Sequence, residues 1–187
     1  MKILVTGCAG FIGFHLCSKL LRNKNYQVFG IDNLNSYYDL KLKKDRLSIL
    51  KKIDNFHFYK IDICESKKIL KNFKDINYDC VINLAAQAGV RHSIYEPFDY
   101  VNSNVNGFFN VMHAAKEIKV KHFIYASTSS VYGDSNKFPS RENDNTDKPL
   151  SFYAATKKSN EVFAHSYSNI FKLPTTGLRF FTVYGDF

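Results

Sequence analysis

Lys2-Ile3-Leu4-Val5-Thr6-Gly7-Cys8-Ala9-Gly10-Phe11-Ile12-Gly13 carries an apolar run that breaks, without a spacer, into glycines at every third position. Continuous apolar character is that of a parallel strand covered on both faces. Phe14 to Arg22 then shows helical periodicity, closed by Asn23-Lys24-Asn25. A strand–turn–helix of this kind suits a phosphate-binding turn. Gly7 permits the tight turn, Gly10 lets backbone N–H groups approach a pyrophosphate, and Gly13 lets helix and strand pack closely. The ligand's negative charge then falls on the helix N-terminus. A plain glycine turn is the competing reading, and the strand before and helix after it weigh against that.

Outward from this turn, Gln27-Val28-Phe29-Gly30-Ile31 is a second apolar run and ends at Asp32, 19 positions after Gly13. That spacing places an acid at a strand end, where it meets adenosine ribose hydroxyls. A carboxylate there repels a 2′-phosphate, which favours NAD over NADP. Asp32-Asn33 also suits an ordinary turn, the weaker reading once the spacing is counted. Phe56 to Ile61 predicts a third strand ending in Asp62, Ile69 to Phe73 a short helix, and Cys80 to Ala86 a fourth strand whose small final residues admit a flat ligand. A long helix is expected from Phe98 to Ile118. His122 to Ala126 predicts a fifth strand that opens into the hydroxyl-rich Ser127-Thr128-Ser129-Ser130. Residues 135 to 149 read as a polar surface loop. Phe152 to Phe171 reads as a helix stopped by Pro174, and Thr176 to Phe181 as a sixth strand. Alternation of strand and helix predicts an α/β fold with a doubly wound parallel sheet. Right-handed crossovers give the Rossmann-like order 3-2-1-4-5-6. Residues 1–187 read as one domain, without repeats or a linker.

Composition narrows the function classes. A hydrophobic content of 45% is that of a globular core rather than of disorder. The net charge of +9 raises the question of nucleic acid. The basic cluster from Lys41 to Lys52, however, is interleaved with Leu42, Leu47 and Leu50 at helical spacing, as on the solvated side of an amphipathic helix. No nucleic-acid motif accompanies it, so no nucleic-acid partner is expected. A positive field also serves an anionic substrate. Cys8, Cys17, Cys64 and Cys80 form no C-x-x-C pair, so no metal site is expected. With no signal peptide and no long apolar run, a cytoplasmic chain with reduced thiols and no membrane partner is expected.

In such a sheet the ligand lies outside the carboxyl ends of the strands. That edge collects the glycine turn, Asp32, Asp62, Leu84 to Ala86, Ser127 to Ser130 and Phe180 to Thr182. The following helix adds Tyr153-Ala154-Ala155-Thr156-Lys157, in which tyrosine and lysine share a face. A free tyrosine titrates near pH ~10, so action as a base near neutrality needs a shift of about three units, or roughly 4 kcal/mol. A cation about 4 Å away at an effective dielectric of about 20 supplies roughly 4 kcal/mol. Lys157, helped by an oxidised nicotinamide, is adequate in size, and burial of the phenol works against it. Taken alone, Tyr-x-x-x-Lys is an ordinary helix face; beside a dinucleotide turn and a hydroxyl-rich strand end it becomes specific.

With these motifs the chain resembles the extended short-chain dehydrogenase/reductases and, within them, the NAD-dependent epimerase/dehydratase family, most closely its UDP-glucuronate 4-epimerases. The strings that carry the likeness are Asp32 to Asp39, Ala85 to Arg91, Tyr153 to Lys158 and Thr175 to Gly185. The resemblance implies tightly held NAD and a UDP-sugar substrate. Hydride leaves carbon 4 of the sugar and returns to its other face, interconverting UDP-glucuronate and UDP-galacturonate. Tyr153 would be the base, Thr128 would relay the proton, and Lys157 would hold the nicotinamide ribose. Cofactor contacts implied are Gly7, Gly10, Phe11, Ile12 and Gly13 in the turn, then Asp32 and Asn33, and Asp62 and Ile63. Leu84, Ala85, Ala86, Asn104 and Phe180 complete the set with Tyr153 and Lys157. Ser129, Ser130 and Thr182 would line the sugar, and Arg91 would meet its carboxylate or diphosphate.

Nucleotide-sugar 4,6-dehydratases are the neighbouring reading. They carry an Asp-Glu pair directly after the threonine, because water must be eliminated by a general acid and base; here those positions are Ser129 and Ser130. Similar proteins continue past this point with a Gly-Pro-Trp-Gly-Arg-Pro type of segment, whereas this chain reads Tyr184-Gly185-Asp186-Phe187. The expectation is therefore of a missing C-terminal substrate domain and of little or no turnover by these residues alone, with a non-catalytic NAD binder as the limiting case. In a full-length homodimer, 98–118 and 152–171 would form the contact.

Overall fold

The structure, a computed structural model, describes residues 1–135 and 138–186. Residues 136 and 137 of the expected polar loop, and the final residue Phe187, lie outside the described residues. The chain runs β1 (Lys2–Thr6), α1 (Phe11–Leu20), β2 (Gln27–Asp32), α2 (Leu40–Leu50), β3 (Phe56–Lys60), α3 (Ser66–Ile76) and β4 (Cys80–Asn83). Then come α4 (His92–Tyr95), α5 (Pro97–Tyr100), a π-helical turn (Val101–Gly107) and α6 (Phe108–Glu117). β5 (His122–Thr128), a 3-10 turn (Ser129–Tyr132), α7 (Phe152–Phe171) and β6 (Thr175–Phe180) complete it. Among the described residues the strands form one sheet in the expected order β3-β2-β1-β4-β5-β6. Every pairing is parallel.

Both faces of the sheet are covered, which is why its strands are apolar at successive positions rather than alternate ones. In β1, Ile3 and Val5 face a core with Phe14 and Cys17 of α1 and Leu47 and Leu50 of α2. Leu4 faces the other way, with Ile69 and Phe73 of α3 and Phe108, Val111 and Met112 of α6. Cutting one such buried side chain back to alanine costs about 2–5 kcal/mol.

The register aligns the strand ends that build the site. Thr6 lies opposite Ile31 on one side and Asn83 on the other, and Thr128 opposite Phe180. The turn after Thr6 thus opens at the switch point between β1 and β4, where ligands of doubly wound sheets sit.

Several boundaries differ from the expected ones. Helix α3 begins three residues before Ile69 and extends to Ile76, where Asn77 at φ 59° ends it in a left-handed cap. Pairing with β6 carries β5 on to Thr128, whereas β4 ends at Asn83 and Leu84 to Ala86 leave the sheet. The stretch expected as a helix over Phe98–Ile118 is helical from Pro97 to Glu117 but widens into π-helical turns at Val101–Gly107. Its asparagine-rich sequence has side chains that compete for backbone groups, and Asn104 uses that freedom to hold a neighbouring segment.

Candidate active site

The glycine turn has no room for side chains. Gly7 sits at φ 71°, its N–H donates to the Ile31 carbonyl at 2.7 Å, and a Cβ there would lie 2.9 Å from Ala85 N. A Cβ on Gly13 would lie 2.1 Å from the Gly7 carbonyl oxygen, so this glycine packs the helix on the turn itself. The first N–H groups of α1 have no intrahelical partner, and Gly10 brings no side chain to cap them. They face a cleft of about 650 Å³ lined by Gly7, Gly10, Phe11, Ile12 and Gly13. Its size suits a dinucleotide, and the open helix end suits the diphosphate of one.

Asp32 is buried at the adjoining strand end. Its Oδ2 accepts from Ala9 N at 3.1 Å and its Oδ1 from Leu34 N at 2.8 Å. It is therefore a turn aspartate and a cleft residue at once, tying β2 to the glycine turn. Asn33 donates to Asp62 Oδ2 at 2.8 Å, and Cys64 N to Asp62 Oδ1 at 2.8 Å. Burial pushes the Asp62 carboxyl up, but these hydrogen bonds outweigh it and hold the group below the usual carboxylate range. Asn33, Asp62 and Ile63 line the same end of the cleft, and Leu84, Ala85 and Ala86 form part of its wall. Thr6 fixes that wall, donating to Asn83 Oδ1 at 2.7 Å and accepting from Ala85 N at 3.1 Å.

At the other end the cleft meets Thr128, Tyr153, Lys157 and Phe180. Ser151 caps α7 by accepting from Ala154 N at 3.1 Å, which sets Tyr153 in the first turn. The positive end of the helix dipole favours a phenolate there. Burial raises the Tyr153 pKa, a hydrogen bond with the Thr128 side chain lowers it, and Tyr38 raises it again; the net shift is upward. In the protein by itself desolvation wins, in line with the expectation that Lys157 needs the help of an oxidised nicotinamide. Lys157 is only 2% exposed, and burial lowers its own pKa to about 8 against an opposing pull from Glu161.

One further expectation needs correction. Asn104, 1% exposed, does not line the cleft. Its Oδ1 accepts from Gln87 N at 2.7 Å, and its Nδ2 donates to the Gln87 carbonyl at 3.0 Å and to Thr156 Oγ1 at 3.1 Å. It pins the segment after β4 to α7 and acts on the cleft only through that segment. Of the expected sugar contacts, Ser129 and Ser130 sit in the 3-10 turn, with Thr128 Oγ1 donating to Ser130 Oγ at 3.2 Å. Arg91 and Thr182 are exposed, and none of the four lines this cleft.

The sequence reading missed Lys43 and Arg46. Taken as part of a solvated basic face, both are buried and line the cleft near Asp32. Lys43 Nζ donates to the Asn35 carbonyl at 2.9 Å and to its side-chain oxygen at 2.7 Å. Burial lowers its pKa first, and Asp32 raises it. The signal was available: 43, 46, 47 and 50 share one helix face, so two basic residues lie on the apolar side of α2. Tyr37 and Tyr38 also reach the cleft, and the Tyr37 ring lies tilted against His92 with centroids 4.9 Å apart.

A parallel doubly wound sheet with a side-chain-free turn at its switch point defines an α/β protein of the dinucleotide-binding type, and Thr128, Tyr153 and Lys157 line its cleft. The chain belongs to the NAD dependent epimerase/dehydratase family, whose model matches residues 3–187. It is 52% identical over 185 residues to protein CapI of Staphylococcus aureus, covering 99% of this chain and 55% of that one. It is 46% identical over 186 residues to UDP-glucuronate 4-epimerase 4 of Arabidopsis thaliana, covering 99% and 42%. The crystal structure of UDP-glucuronic acid 4-epimerase from Bacillus cereus, in complex with UDP-glucuronic acid and NAD, matches with a TM-score of 0.92 at 42% identity. That match covers 99% of this chain and 58% of the other. The chain spans about half the length of the curated relatives it matches. No helix among the described residues is long and apolar enough to cross a membrane.

Proposed function

We propose that residues 1–187 form the NAD-binding and catalytic part of a nucleotide-sugar 4-epimerase, with UDP-glucuronate and UDP-galacturonate as the interconverted pair. The observation that carries the reading is the convergence of Thr128, Tyr153 and Lys157 on the cleft that begins at the glycine turn. The N–H groups at the start of α1 would hold the diphosphate, and Asp32 the adenosine ribose. Asn33, Asp62 and Ile63 would border the adenine, and Lys157 would donate to the nicotinamide ribose. The chemistry supplied by bound NAD is reversible storage of a hydride.

Tyr153, as phenolate, would take the proton of the sugar's 4-hydroxyl as the C4–H bond gives up its hydride. Hydride then returns to carbon 4 of the keto sugar on its opposite face, and Tyr153 gives the proton back to the 4-oxygen, so no net oxidation occurs. Thr128, hydrogen-bonded to Tyr153, would steady the oxygen between the two. With Ser129 and Ser130 where elimination needs carboxylates, the keto sugar has no acid–base pair for losing water. This favours epimerisation over dehydration. Arg91, Ser129, Ser130 and Thr182 are proposed to reach the sugar from outside the cofactor cleft. The named relatives support glucuronate as the sugar, and a homodimer through α6 and α7 is part of the same proposal.

The test combines calorimetric titration of the protein with NAD and NMR of UDP-glucuronate incubated with it. Tyr153→Phe should keep NAD binding and lower epimerisation by at least about 100-fold, the usual scale for losing a general base. Unchanged turnover in that variant, or a folded protein that takes up no NAD, overturns the proposal.

A further inference from the structure

Glu161 lies one helical turn beyond Lys157 on α7. Its Oε1 accepts from Ser127 Oγ at 2.6 Å and from Arg179 Nε at 2.9 Å, and its Oε2 accepts from Arg179 Nη2 at 3.0 Å. Lys158 Nζ stands 3.7 Å from Oε2. Arg179 also donates to the Glu142 carbonyl at 3.1 Å and lies over the Tyr132 ring at 4.9 Å. One carboxylate therefore joins α7 to the carboxyl ends of β5 and β6. Ser127 immediately precedes Thr128, and Arg179 immediately precedes Phe180, both of which line the cleft. The paired side chains are only 20% and 15% exposed, so this is not a solvated surface bridge. Fork-to-fork pairing of Arg with a carboxylate fixes direction as well as distance.

We propose that Glu161 is a positioning residue for the Tyr153–Lys157 centre: it clamps α7 to the ends of β5 and β6 and sets a carboxylate one helical turn from the buried Lys157, the ammonium that would donate to a dinucleotide ribose. The functional half of this rests on the reading of the cleft as an NAD site. Burial drives Lys157 towards the neutral amine, and Glu161 is the charge that opposes it. The carboxylate itself is pushed up by burial and held down, on balance, by Arg179 and Ser127. Other titratable groups on elements packed against α7 are His122 and Tyr125 on β5, Arg179 on β6, Tyr132 in the 3-10 turn, Tyr95 on α4, Lys116 on α6, Asp99 on α5, and Tyr100 on α5 beside Tyr153. His92 on α4 lies tilted against Tyr37, and His113 on α6 pairs with Tyr167 and Glu117 at a distance along the helix. The π-helical turn brings no titratable group.

Removing the carboxylate and removing its guanidinium act on Lys157 with opposite electrostatic sign. The experiment is NMR titration of the lysine side-chain resonances, with Lys157 assigned through Lys157→Met, in parallel with NAD titrations over the same pH range. Glu161→Gln keeps size and an acceptor but loses the charge, and should lower the Lys157 midpoint by about one pH unit. Arg179→Met leaves the carboxylate without its guanidinium and should raise that midpoint. NAD affinity at alkaline pH should follow each shift. Glu161→Asp, which keeps the charge, should stay near the wild type, and it decides the matter if Arg179→Met does not fold. Shifts in the same direction for Glu161→Gln and Arg179→Met, or equal falls for Glu161→Gln and Glu161→Asp, overturn the proposal. Opposite shifts in a protein that binds no NAD support the electrostatic role of Glu161 and count against the cofactor reading instead.

Discussion

Lys157 is the residue where folding and function pull against each other. Its burial lowers its pKa from 10.5 to about 8. In the unfolded chain the amine keeps its proton up to pH about 10.5, while in the folded protein it loses it near 8. Between those values the unfolded state holds more protons, so stability rises with pH across that window and is flat below it. From pH 7.5 to 9.5 the gain should be about 2 kcal/mol. Urea denaturation at the two pH values measures it, and the gain should vanish in Lys157→Met; an equal gain in that variant assigns it to other groups. The same substitution should abolish NAD binding. The cost of the buried cation is thus accepted in the fold, in keeping with a role at the site. Tyr153 shows the complementary case: its position at the start of α7 and its contact with Thr128 favour the phenolate, yet burial still wins without a cofactor's positive charge.

The π-helical turn shows how one element sets another. A regular α-helix over Phe98–Ile118 satisfies its own backbone; the wider turn at Val101–Gly107 lets Asn104 engage both backbone groups of Gln87 and the Thr156 hydroxyl. Gly107 is required for close approach, since a Cβ there would lie 2.7 Å from Ile63. Asn104→Leu strands a buried N–H and a buried carbonyl, at a cost of about 1–3 kcal/mol each. Thermal unfolding should register this loss, and NAD binding should weaken although Asn104 does not face the cleft. An unchanged melting temperature is incompatible with the pinning role. Strands, the glycine turn and α7 were legible in the sequence because their signals are local: apolar runs, glycine spacing, helical periodicity closed by Pro174. The π-helical widening of the long helix was not, because Asn104 there answers to a segment seventeen residues away in the chain.

For the molecule as a whole, α6 and α7 leave an apolar, aromatic face open. Phe109 stacks on His113 and meets Phe163 and Tyr167 edge-on, while Val162, Ile170 and Phe171 are exposed. A second copy packing on it would bury both faces in a four-helix arrangement. Sedimentation should show a dimer, and Val162→Asp should yield a monomer that still binds NAD, because the face lies away from the cleft. A wild-type monomer at concentrations where the protein is folded runs against this arrangement.

The sequence by itself determined the parallel order 3-2-1-4-5-6, the side-chain-free turn, Asp32 at the second strand end and the Tyr153–Lys157 spacing. Each is written in contiguous residues whose periodicity or conformational demand does not depend on distant partners. Only the tertiary structure decided that Lys43 and Arg46 are buried beside Asp32, and that Asn104 holds Gln87 rather than lining the cleft. It alone set Glu161 between Ser127 and Arg179. Those outcomes depend on which distant segments meet and how much water they exclude, and burial is what turns an ordinary helix-face charge into part of a site.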